Sequence, residues 1–168
     1  MGRLVPSLTS VCSGREQEED THKVYTQAEI EELYSFNYII DNEPWDDLPL
    51  VYVPSRTRPK PPLFHYGIGF TYSGLADYAT RKNLLPDSGT GSAYLTMLNT
   101  LEYLQNLTEI GEKLYYRNVE STKVAFVFAL YSNFRSLVTE EERDHVADIL
   151  EPELDGEFSW YYDAHNIA

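Results

Sequence analysis

A chain of 168 residues with 42% hydrophobic content is long enough to bury one sizeable core, and one folded domain is the expectation for that length. Its 27 acidic and 13 basic residues give a formal charge of -14, which repels a phosphate backbone and an anionic lipid surface, so nucleic acid and membrane partners are not expected. Cys12 is the only cysteine, which excludes an internal disulfide and a multi-cysteine zinc site; with no apolar run of signal or spanning length, the chain reads as intracellular and cytoplasmic.

In chain order, residues 1–25 are mixed, polar and finally charged from Arg15 to Asp20, with too little apolar surface to offset ordering entropy. They read as a flexible, disordered tail, leaving 26–168 as the globular domain. Thr26 and Glu29 have capping-box spacing, so a helix is expected there, with Ile30, Leu33, Tyr34, Phe36 and Tyr38 supplying its apolar stripe. It should stop before Asp41-Asn42-Glu43-Pro44, a run of turn formers closed by proline. Leu48 to Val53 reads as a short strand, with Pro49 arguing for an edge position.

The segment Arg56-Thr57-Arg58-Pro59-Lys60-Pro61-Pro62 is the one basic island and suits an extended, polyproline-like loop. Leu63 to Tyr72 then alternates, with Phe64, Tyr66, Ile68 and Phe70 on one side and His65, Gly67, Gly69 and Thr71 on the other. This is a strand whose glycines mark a bend or a close approach. Ser73 is placed to cap a helix from Gly74 to Leu85, ended by Pro86. Ser92 caps the longest helix, with Tyr94, Met97, Leu98, Leu101 and Leu104 at helical spacing and a continuation or a break near Asn106.

Val124 to Tyr131 carries no charge and mixes β-branched with aromatic residues, the pattern of a central strand buried on both faces. Thr139 to Glu142 is a second capping box, opening a helix to Leu150 that Pro152 closes; Glu157 to Tyr162 alternates as a last strand. The fold class expected is α+β or α/β, a single-layer sheet of about four strands with Val124–Tyr131 central and about four helices packed on it.

Chemistry is less legible. His65 and Tyr66, with Asp77 on the next helix, make a conceivable acid/base set, provided the imidazole is oriented by a carboxylate, and Ser73 stands between a strand and a helix as a nucleophile would, without the Gly-x-Ser-x-Gly pattern. A core-edge histidine and a capping serine explain the same residues. Gly89, Thr90, Gly91 and Ser92 form a Gly-rich run before a helix that could cradle an anion, although no lysine follows as in a P-loop, and a capped interhelix linker fits equally. The four histidines lack metal spacing, the acidic clusters read as solvated helix faces, and neither a metal nor a cofactor is expected.

Arg56, Pro59 and Pro62 stand at Arg-x-x-Pro-x-x-Pro spacing, which resembles the ligands of SH3 domains. The resemblance implies an SH3-like partner, whereas a stiff interstrand loop accounts for the same prolines. The 14 tyrosines suit an interface or a pocket, because each buries a ring while keeping a hydroxyl in play. Two functions are therefore carried forward: a non-catalytic protein-interaction or regulatory domain, and a small enzyme or ligand-binding protein with an aromatic pocket near His65, Ser73 and the 88–92 loop. The second expectation sets that pocket at the carboxyl ends of the strands Leu63–Tyr72 and Lys123–Ser132.

Overall fold

The computed structural model describes residues 23–87, 92–163 and 165. Two short helices come first, α1 (Gln27–Leu33) and α2 (Phe36–Asn42), where the apolar pattern predicts one. The reason is Ser35: its hydroxyl accepts from the Tyr38 amide and caps a second helix, so the chain turns after Tyr34 instead of running on. Thr26 and Glu29 form the expected reciprocal cap at the start of α1.

The strand expected at 48–53 is instead a single 3-10 turn, Leu50–Tyr52. Pro49 has no amide to give to a ladder, and Val51 and Tyr52 find burial against Ile39 and Phe64, with the Tyr52 hydroxyl donating to the Leu33 carbonyl at 2.6 Å. The fourth strand comes from a segment with little sequence signal, Tyr115–Asn118, entered through a 3-10 turn at Gly111–Lys113 whose glycine has φ of +57°.

The sheet therefore comprises β1 (Phe64–Phe70), β2 (Tyr115–Asn118), β3 (Phe126–Ser132) and β4 (Phe158–Tyr162), in the order β2-β3-β1-β4. Every pairing is antiparallel, so the class is α+β, and β3 is interior as its uncharged sequence predicts. Three longer helices complete the fold: α3 (Tyr72–Lys82), α4 (Ala93–Thr108) and α5 (Glu140–Leu154). Helix α3 starts earlier than expected because Thr71, not Ser73, is its cap, accepting from the Gly74 amide at 3.0 Å. Helix α4 runs unbroken past Asn106. Helix α5 carries Pro152 inside it; the carbonyl left without a donor belongs to Asp148, which is exposed and can be hydrated.

The two faces of the sheet differ. On one, Ile68, Phe70, Phe126, Phe128, Leu130 and Phe158 pack under Leu75 and Tyr78 of α3, Met97 and Leu104 of α4, and Val146 and Leu150 of α5. On the other, Val127 and Ala129 meet Tyr161, Val119 and Val124, so the 119–124 connection crosses beneath the sheet. The outer edge of β4 is sealed by Trp45, which exchanges backbone hydrogen bonds with Trp160. Beyond it the Glu43 carboxylate accepts from the Tyr162 amide and the Glu120 amide donates to the Tyr162 carbonyl, so no long open edge remains there. Among the described residues no helix is long and apolar enough to cross a membrane.

Candidate functional site

His65 lies on the sheet face opposite α3, α4 and α5, and is 3% exposed. Two side chains hold it. Asp163, 4% exposed, stands one residue beyond β4; its amide bonds the Leu63 carbonyl at 2.9 Å, extending the ladder, and its Oδ2 lies 2.9 Å from His65 Nε2. The second oxygen, Oδ1, accepts the His165 amide. Tyr115 of β2 pairs with Ala129 of β3, which in turn pairs with Gly67 of β1. These small residues leave the surface clear for the phenol to cross β3 and place its hydroxyl 3.0 Å from His65 Nδ1. The result is one continuous chain, Tyr115–His65–Asp163.

Beside it opens a cleft of about 370 Å³, at the low end of the range for small-molecule sites. His65 and Tyr115 form part of its lining, and Leu63, Leu130 and Leu137 give it apolar wall. A register shift between β1 and β3 leaves Leu130 without a partner, and this bulge brings Leu130, Tyr131 and Ser132 in succession to the cleft.

Three cations line the same space, Lys113, Arg117 and Arg135, with Glu112 the one carboxylate among the described lining residues. Lys113 is engaged, 2.6 Å from Glu142, and that contact is what holds the Glu142 carboxyl below its ordinary range. Arg117 follows Tyr115 on the same strand face; its guanidinium lies 5.1 Å from the Tyr115 ring centre and donates to the Tyr116 carbonyl. Arg135 is positioned by a tight turn in which its carbonyl accepts the Ser132 amide and its amide donates to Ser132 Oγ. Among the described residues neither arginine makes an ion pair. Burial pushes the Tyr115 hydroxyl up to about 12, with Arg117 pulling against it and Asp163 adding to it. The phenol is neutral across the physiological range.

The carboxylate beside His65 is thus Asp163 and not Asp77, which sits exposed on α3 across the sheet. Ser73 is also distant: it follows the opposite end of β1, on the order of 20 Å along the strand from His65, and its hydroxyl meets Thr71. The pocket expected at the carboxyl ends of the two long strands does not form, because β1 and β3 are antiparallel and those ends lie apart; the cleft joins the start of β1 to the end of β3. Ser92 caps α4 through the Leu95 amide, while Gly89, Thr90 and Gly91 lie outside the described residues.

In the proline loop Arg56 and Pro59 are exposed, but Pro61 is buried, and Pro62 is half-buried with its carbonyl taken by Asn133. Sequence reasoning missed Tyr115, Arg117, Lys113 and Arg135. Their only signal was an aromatic-cation alternation too short to stand out.

Fold and site together define an α+β protein with an antiparallel sheet and a cationic cleft built on a buried Tyr-His-Asp chain. Compared with protein families, curated proteins and solved structures, the chain matches none of them.

Proposed function

We propose that the protein binds a small organic anion in the cleft beside His65. One observation carries the reading: on a chain of formal charge -14, three cations line a single concave space, and two of them are unpaired with any described carboxylate. Holding like charges together costs free energy, and an acid group in the fork of a guanidinium recovers it. The apolar wall of Leu63, Leu130 and Leu137 suits a short hydrocarbon portion.

Calorimetry of the full chain with short branched carboxylates as probes tests this. Binding is expected, and replacing Arg117 and Arg135 together by Ser should weaken it by at least about tenfold, the worth of one charge-assisted hydrogen bond. No binding beyond that of chloride at equal ionic strength, or binding indifferent to both arginines, removes the reading.

A second reading, a non-catalytic interaction domain, is favoured by exposed Phe134 and Leu137, the latter lining the same cleft, and by exposed Arg56 and Pro59. Capture of an SH3 domain needs the prolines presented together, and the tether at Pro62 counts against it. Replacing Arg56 and Pro59 should abolish any such capture.

A further inference from the structure

Resting on the anion-binding reading, we infer that the ligand carries a hydrogen-bond donor close to its acid group, as a hydroxy acid or an amine-bearing acid does, and that Tyr115 selects for it. Proton positions along the buried chain decide what Tyr115 can offer. An ionised carboxylate only accepts, so with Asp163 Oδ2 at 2.9 Å the Nε2 atom of His65 must carry a proton. In the neutral imidazole Nδ1 is then an acceptor. The hydroxyl 3.0 Å away is Tyr115, which has one proton to give and gives it to Nδ1. What Tyr115 offers anything else is a pair of lone pairs.

A ligand carbonyl brought against that oxygen would set acceptor against acceptor, whereas a ligand O–H or N–H completes the chain. The ionised phenol is no alternative, since burial holds it neutral well beyond the physiological range. The spacing follows from Arg117, which shares the strand face of Tyr115 and lies 5.1 Å from its ring centre. An acid group on that guanidinium lies beside the ring that carries the phenol oxygen, so a donor close to the acid on the same small molecule can reach it. Three cations and a neutral tyrosine therefore describe two features of one small molecule, and Leu63 and Leu130 leave room for its hydrocarbon part.

The test uses the full chain and two probes with one carbon skeleton, 2-hydroxy-4-methylpentanoate and 4-methyl-2-oxopentanoate. Affinities are measured by calorimetry in mildly alkaline buffer, which favours the neutral imidazole. The hydroxy acid should bind at least about tenfold more tightly, the effect of leaving one buried acceptor unmatched. Tyr115→Phe, which keeps the ring, should bring the ratio towards one by weakening the hydroxy acid. Equal affinities, a preference for the oxo acid, or a ratio unchanged in Tyr115→Phe overturns the inference. If both acids bind with equal affinity and lose it in the Arg117 and Arg135 double variant, the selectivity argument falls and the anion site stands; if neither binds at all, the anion site falls and takes the selectivity with it.

Discussion

The sheet has two faces that solve the burial problem in opposite ways. The face under α3, α4 and α5 is filled by large apolar side chains, Phe70, Phe126 and Phe128 among them. The other is paved with Gly67, Gly69, Ala129 and Ser159, and the space these leave is filled by side chains that reach sideways across the strands: Tyr115, Tyr161 and the His65–Asp163 pair. Bulk stabilises the first face and vacancy makes the second one useful. A polar group that must meet partners from three strands needs neighbours small enough to pass over.

The comparison predicts unequal costs. Phe128 is fully buried against Phe70 and Phe126, at ring-centre distances of 5.3 and 5.4 Å, so Phe128→Ala should destabilise by about 3–5 kcal/mol in urea unfolding. A cost under about 1 kcal/mol would mean that the helical face is not the main core. Gly67→Ala sharpens the contrast from the other side. A methyl there would run into the Phe128 carbonyl oxygen and come within 2.8 Å of Ala129 Cα, both backbone atoms of β3, so the strand itself must shift.

About 1–3 kcal/mol is expected for that substitution, together with loss of the Tyr115 to His65 hydrogen bond, read as a changed nitrogen-15 shift of His65 Nδ1 in nuclear magnetic resonance. Without the contact shift, the claim that glycine keeps this face passable fails.

The difference between the faces also explains what the sequence shows. Apolar side chains repeat with a strand's or helix's period, so β1, β3, β4, α4 and α5 are visible from spacing alone, and the box at Thr139 and Glu142 marks a helix start to the residue. Boundaries that depend on a single hydroxyl, Ser35 or Thr71 against Ser73, are decided by which oxygen reaches an amide, and spacing does not carry that. The site is harder still. His65 stands out as a histidine between apolar neighbours, but its partners lie 50 and 98 positions away, and only the antiparallel order β2-β3-β1-β4 brings them to it. Assuming a cleft at the carboxyl ends of neighbouring strands imports the geometry of parallel sheets. For Asp163 nothing local distinguishes a carboxylate that extends a ladder from one on a loose end.

The smallest predicted effect concerns Glu43, where the logic of the two faces meets the sheet edge. Its carboxyl is 2% exposed and one oxygen accepts the Tyr162 amide at 3.2 Å. Burial pushes its pKa up, against the pull of Ser121, the Tyr162 amide and Lys123. For an acid raised in the folded state, the folded form holds more protons than the unfolded one between the ordinary value of 4.5 and the raised one, so its contribution to stability is full below 4.5 and is lost as pH rises through the raised value. Glu142 and Glu153 shift downwards, so their contributions are already present above 4.5 and add no slope in that window. Glu43→Gln keeps a carbonyl for the Tyr162 amide while removing the titration. The stability of Glu43→Gln minus that of the natural protein should therefore grow as pH rises above 4.5 in urea unfolding, and subtraction cancels every other group common to both. A difference flat with pH, or shrinking, would mean that Lys123 and Ser121 outweigh burial and that the carboxylate is held charged at the edge of β4.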